Sequence, residues 1–190
     1  MVMTAHQKTY TLGDTVDLLL ENPDLVGTRL STADKYMRAY NENPDGFILP
    51  RDYAYLKPII DAYAGDLGRF VEFVAEMRDC LPKGSLGYSK TQDVYRRIMG
   101  RHTQQVRRER ADRAIAKAEE LYGDTDFHTR LKWVSDLEHQ WAKRRLAALT
   151  DRREKTENNR LSSDERNEVL LEFWDEIDTE INEGKVPPWN

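Results

Sequence analysis

Nearly every strong periodic signal in this chain is helical, with apolar residues recurring at three- and four-residue intervals. Val16, Leu19 and Leu20 predict a short helix, capped by Asp14 and ended by Asn22-Pro23. Ser31 or Thr32 is expected to cap a second, carrying Tyr36, Met37 and Tyr40. Asn43-Pro44-Asp45-Gly46 reads as a turn, because proline fixes φ and glycine tolerates positive φ. Phe47-Ile48-Leu49-Pro50 follows as a buried connector or at most a short extended piece. Asp52 to Tyr63 reads as helix, with Pro58 bending it or lying in its first turn. From Asp66, the residues Leu67, Phe70, Val71, Val74 and Met77 stand at core spacing, and Leu81 to Tyr88 is the most loop-like stretch.

Longer helices come next. Ser89 is expected to cap one that runs to about Tyr122 and stops at Gly123. Asp124 or Thr125 begins another, ending near Glu157-Asn158-Asn159. Its apolar stripe is Phe127, Leu131, Val134, Leu137, Trp141, Ala148 and Leu149, with Trp133 off the stripe beside Gln140 and Arg144. Ser162-Ser163-Asp164-Glu165 has the pattern of a capping box. The last helix carries the clearest amphipathic pattern, Leu170, Phe173, Trp174, Ile177 and Ile181, and Gly184 closes it. The fold class that follows is all-α with six to eight helices. Residues 10–82 form an N-terminal unit, 89–160 two long basic helices, and 161–190 an acidic amphipathic helix with a Pro-Pro-Trp tail, integrated into one domain.

One helix does not keep a single apolar face. At 100° per residue, Val94, Tyr95, Ile98, Met99 and Val106 fall on one side. Ala111, Ile115, Ala118 and Tyr122 fall on nearly the opposite one. A straight helix packed on one core does not switch faces. It must break between Val106 and Ala111 or meet two packing environments, such as its own core and a second subunit in a homodimer.

Charge sharpens this picture. Residues 1–89 hold 9 basic and 13 acidic side chains, residues 90–160 hold 18 and 12, and residues 161–190 hold 2 and 9. The overall charge of −5 hides this sorting and argues against a uniformly basic nucleic-acid binder, though not against a local basic strip. Lys90, Arg97, Arg101 and Arg108 lie within about 40° of one another on the helical wheel. Arg96, Arg107 and Arg110 form a second row. Arginine suits phosphate contact because its planar fork bonds bidentately. Lys143 and Arg144 extend the strip from the following helix, and an exposed Trp133 beside Arg144 would serve as a stacking platform for a single strand. The alternative is that the arginines pair with acids elsewhere, Asp112 and the acidic C-terminal helix being at hand.

The C-terminal segment is the second candidate surface. Phe173, Trp174, Ile177 and Trp189 are its partner-binding residues, the last anchoring an extended Lys185-Val186-Pro187-Pro188-Trp189-Asn190 tail. The layout is similar to the acidic, apolar-tipped ends of several single-strand-binding proteins, with no residue motif behind it. The same helix could instead fold back on the arginines as an electrostatic lid, or serve as an ordinary core helix.

Other chemistry finds little footing. Gly84-Ser85-Leu86-Gly87 before Ser89-Lys90 lacks the spacing of a nucleotide-binding loop and reads as a turn. Val16 to Tyr40 has a helix–turn–helix outline, but its second helix offers only Lys35 and Arg38 to a groove. The four histidines and the lone Cys80 have no metal-ligand spacing, and no nucleophile has an oriented base. No cofactor, metal or enzymatic activity is expected. A single cysteine, no apolar stretch long enough for a bilayer and no secretory h-region predict a cytoplasmic protein without membrane contact.

The reading is therefore a non-enzymatic nucleic-acid-binding accessory protein. DNA is preferred to RNA and single strands to duplex, in transcription or replication, with a phage or mobile-element origin. Its acidic C-terminus recruits a polymerase or another protein. The second reading is a helical protein-interaction adaptor or inhibitor using the acidic helix, and the third is oligomerisation through the face-switching helix.

Overall fold

The computed structural model describes residues 9–156 and 159–189. It is all-helical, with seven α-helices and no strand among the described residues. These are α1 (Leu12–Leu20), α2 (Val26–Glu42), α3 (Lys57–Tyr63), α4 (Leu67–Asp79), α5 (Leu86–Tyr122), α6 (Phe127–Glu154) and α7 (Ser163–Asn182). Two 3-10 pieces, Pro23–Leu25 and Arg51–Leu56, precede α2 and α3.

Several helix ends follow the expected capping chemistry. Asp66 accepts from the Arg69 amide and starts α4. Ser162 and Glu165 form the reciprocal box that starts α7. Gly123 at φ 93° follows α5, and Gly184 at φ 79° follows the end of α7, both in the region that suits glycine.

Other ends are displaced from expectation, each for a local reason. Thr11, not Asp14, caps α1; Asp14 is the third helical residue and returns its carboxylate to the Thr11 amide at 2.8 Å. Ser31 and Thr32 lie inside α2, because Pro23 opens a 3-10 turn that runs on into helix at Val26. Pro58 occupies the first turn of α3, where its missing N–H costs nothing, and the residues before it wind as 3-10 helix. Ser85, not Ser89, starts α5, its Oγ accepting from the Tyr88 amide at 3.1 Å. Asp126 caps α6, accepting from the His128 and Thr129 amides at 2.8 and 3.0 Å. That helix ends at Glu154; Glu157 and Asn158 lie outside the described residues.

The chain divides into two compact units, Met1–Gln104 and Gln105–Asn190, so the division falls inside α5, not at the Leu81–Tyr88 loop. The first unit buries Leu19, Leu30, Leu56, Ile59, Phe70, Val74 and Ile98, drawn from α1 to α4, the second 3-10 piece and the first part of α5. Phe47 and Leu49 of the connector pack against this core, whereas Ile48 is exposed. The second unit buries Ala114, Ile115, Ala118, Trp133, Leu137, Trp141, Phe173, Ile177 and Ile181. The change of apolar face along α5 is thus the passage of one unbroken helix from the first core to the second. Tyr122, expected on the second face, is exposed.

The core face of α6 also differs from the stripe read off the wheel. Trp133, Leu137 and Trp141 face the core, while Phe127 and Leu131 stay exposed. Trp133 and Trp141 are the largest side chains of α6, and the face that the helix turns inward is the one that buries both. The tail likewise packs down, since Val186 and Pro187 are buried and Trp189 is exposed to just over a third.

Candidate anion-binding site

In the first unit, two glycines let α2 lie close along the beginning of α5. A Cβ on Gly27 would stand 2.6 Å from the Lys90 carbonyl carbon and 2.7 Å from the Thr91 nitrogen. A Cβ on Gly87 would meet the Pro23 carbonyl. Thr91 is fully buried at this crossing and donates its hydroxyl to the Gly87 carbonyl at 2.8 Å. Only hydrogen fits at such positions.

This approach brings Ser31, Asp34 and Arg38, spaced i, i+3 and i+7 on α2, beside Arg97 and Arg101, spaced i and i+4 on α5. Asp34 is 2% exposed, and three guanidiniums converge on it. Arg101 donates from Nη2 to Asp34 Oδ1. Arg97 Nη2 and Arg38 Nε each stand 3.8 Å from Oδ2, within ion-pair range but too far for a hydrogen bond. Arg97 Nη2 also donates to Ser31 Oγ at 2.9 Å. Asp34 Oδ2 and Arg101 Nε are buried without hydrogen-bond partners. One carboxylate against three guanidiniums leaves a local excess of positive charge, presented at the surface by Arg38 and Arg97, whose side chains are more than half exposed.

The remaining basic residues named from the sequence separate into two sets. Lys90, Arg96, Arg108 and Lys143 are exposed, and Arg107 is partly so, and none of the five has a carboxylate partner among the described residues. Lys90 and Arg96 belong to the first unit, the other three to the second.

Arg110 and Arg144, by contrast, are engaged inside the second unit. Arg110 grips Asp178 of α7 with Nε and Nη2 at 3.1 and 3.0 Å and lies 4.7 Å over the Trp174 ring. Arg113 reaches the same carboxylate at 2.6 Å. Arg144 holds Glu180 at 2.6 and 3.1 Å, and Arg152 holds Glu168 and Glu172 at 3.2 and 3.5 Å. Paired forks of this kind are charge-assisted and geometrically specific. Burial pushes the Asp178 carboxyl up, but the hydrogen bonds and charges of Arg110 and Arg113 outweigh it and hold the group below the usual carboxylate range. The acidic helix therefore meets the basic helices of its own unit.

Six of the expected site residues take other roles in these contacts. Arg110 and Arg144 pair with acids instead of standing free. Trp133 is 8% exposed in the second core and offers no stacking platform. Phe173 and Ile177 are buried in that same core, and Trp174 packs edge-on to Trp141 and Phe173, so these three hold α7 to its own unit. Of the C-terminal anchor residues, Trp189 is the most exposed and Trp174 is partly buried.

Asp34, Arg38 and Ser31 were not legible as a site from sequence. In the sequence Arg38 is only one of two cations on a helix otherwise needed for packing. The available signal was the run Ser31, Asp34, Arg38 on one face of α2, which acquires meaning only opposite Arg97 and Arg101.

No helix among the described residues is long and apolar enough to cross a membrane. No group of three or more His, Cys, Asp and Glu side chains among them is placed to hold a metal ion. Comparison with known protein families, curated proteins and solved structures finds no match.

Proposed function

We propose that this protein is a non-enzymatic accessory protein that binds nucleic acid through its phosphates, using the first unit's surface around Arg38, Lys90, Arg96, Arg97 and Arg101. The observation that carries this reading is the convergence of three guanidiniums on one buried carboxylate, which leaves net positive charge held in place at the surface. Lys90 and Arg96, exposed on the same helix and free of acids among the described residues, add to it. Arg107, Arg108 and Lys143 are assigned separately, within the second unit. A preference for single strands rested on Trp133 and loses its support with that indole buried. The reading is phosphate contact without base readout, in which phosphates set affinity and no groove-reading side chain is assigned.

The test is a fluorescence-polarisation titration with single- and double-stranded DNA and RNA at two salt concentrations. A surface that meets about four phosphates gives a log-affinity against log-salt slope of roughly −3. The double variant Lys90→Glu, Arg96→Glu reverses two exposed charges and is expected to abolish binding at moderate salt. No binding of the wild-type protein at low salt, or an unchanged affinity in the double variant, overturns the reading.

A protein-interaction module is the second reading, and one observation favours it. Leu121, Tyr122, Phe127 and Leu131 of the second unit are each about half or more exposed near the α5–α6 turn. Association through such residues would be insensitive to salt, whereas phosphate binding weakens steeply with it.

A further inference from the structure

We propose that Asp34 is the positioning residue of a phosphate clamp, in which Arg38 and Arg97 take one phosphate group between them while Arg101 anchors the carboxylate that aims them. The inference deepens the nucleic-acid reading and rests on it for the identity of the ligand, while the clamp itself requires only the chemistry of phosphate.

Three like charges gathered on adjacent helix faces repel one another and would splay into water. A carboxylate beneath them reverses that tendency. Asp34 supplies it from a position closed to solvent. The three arginines are held unequally. Arg101 is the least exposed, at 31%, and makes the one direct hydrogen bond to the carboxylate. Arg38 and Arg97 stand beyond hydrogen-bond range of Oδ2, at 3.8 Å, with side chains 58% and 51% exposed. A guanidinium has five donors in a fixed fork, and Arg97 directs one of them to Ser31. Most donors of these two side chains are therefore open to an external acceptor. A tetrahedral oxyanion offers acceptors in several directions at once, which suits two forks approaching from different helices.

The buried Oδ2 supports the same assignment. It sits 2% exposed in its residue, faces both loosely held guanidiniums and accepts a hydrogen bond from neither. An ion pair whose purpose was stability alone would close to hydrogen-bond distance on both oxygens, because a buried unsatisfied oxygen is costly. Here one oxygen fixes Arg101 and the other orients two arginines without consuming their donors.

The decisive property is a mismatch between charge and affinity. Asp34→Asn raises the positive charge of the surface by one. A plain electrostatic patch would then bind anions more tightly, whereas a clamp that has lost its positioning residue binds them less tightly. The experiment titrates the full chain with inorganic phosphate at low ionic strength, following the arginine Nε–Hε resonances by NMR. A parallel fluorescence-polarisation arm uses a labelled single-stranded oligonucleotide. Saturable shifts of the Arg38 and Arg97 signals are expected in the wild-type protein. Asp34→Asn is expected to lower phosphate affinity roughly tenfold, the loss of about one charge-assisted hydrogen bond.

Arg38→Gln and Arg97→Gln leave the Asp34–Arg101 pair in place and are each expected to weaken phosphate about as much, with unchanged circular dichroism. They decide the question if Asp34→Asn fails to fold. Equal or tighter phosphate binding by folded Asp34→Asn overturns the positioning role, and wild-type or near-wild-type affinity in both glutamine variants overturns the clamp. The two arms separate the two claims. Phosphate binding without oligonucleotide binding removes the nucleic-acid reading and leaves the clamp, while oligonucleotide binding together with wild-type phosphate affinity in both glutamine variants removes the clamp and leaves the nucleic-acid reading.

Discussion

At the scale of single residues, glycine and aspartate have effects that their exposure alone would not suggest. Gly27 and Gly100 are both in helices, yet their surroundings are opposite. A methyl group at Gly27 would press on the backbone of Lys90 and Thr91, which cannot yield as a side-chain tip would. Gly27→Ala is expected to destabilise the protein by about 1–3 kcal/mol, the usual cost of overpacking, measured by urea denaturation. Nothing lies within 4 Å of a Cβ at Gly100, in the interior of α5. Gly100→Ala should therefore stabilise by about 0.5–1 kcal/mol through helix propensity. Equal and small effects at the two sites would refute the close approach of α2 to α5.

At the scale of elements, α7 shows how a sequence pattern can mark a helix and still leave its surroundings open, since Val169 is buried where the expected Leu170 is only partly so. Its amphipathic stripe and its Ser162–Glu165 box depend on neighbours within a few positions, so both are visible in the sequence. Ser162→Ala is expected to cost about 1 kcal/mol, as loss of a serine cap does elsewhere. The acidic back of α7 is a different matter, because its partners Arg110, Arg113, Arg144 and Arg152 stand far away in the chain. Asp178 is held below the ordinary carboxylate range, so its contribution to stability is complete above the unfolded value of about 3.9. That contribution is lost as pH falls from there through the folded value. Asp178→Asn should therefore be less stable than wild type at pH 7, and the difference should shrink in acid titrations below about pH 4. A constant difference across that range would show that the Arg110 and Arg113 pairing contributes nothing through linkage.

At the scale of the whole molecule, the two units have separate cores and different optical signatures. All four tryptophans, Trp133, Trp141, Trp174 and Trp189, belong to the second unit, and the first has none. Tryptophan emission thus reports the second unit alone, while far-UV circular dichroism reports both. Because the buried residues of the two cores are distinct sets, denaturation is expected to give non-coincident transitions by the two probes. Coincident midpoints would mean that the units unfold together. Asp126 and Glu165, like Asp178, are held below their usual range, the first by the Thr129 amide and the second by the Ser162 amide. All three lie in the second unit, where tryptophan emission reports the effect of acid, while Asp79, held down by its Arg78 hydrogen bond, gives the first unit an acid response of its own.

Local chemistry along the chain dictates the helical class, most of the helix inventory, the stops at Gly123 and Gly184, and the switch of apolar face along α5. These depend on backbone preferences and on spacings of a few residues, which are local and need no knowledge of the fold. Tertiary structure alone decided which charges are free. Asp34 is an unremarked acid in α2 until Arg97 and Arg101 arrive from more than sixty positions away, and Arg110 is a free cation until Asp178 docks. It also turned Trp133 into the core and left Phe127 in solvent, a choice made by the surface that α6 packs against. Burial and ion pairing are properties of contacts, and contacts between distant segments exist only once the chain has folded.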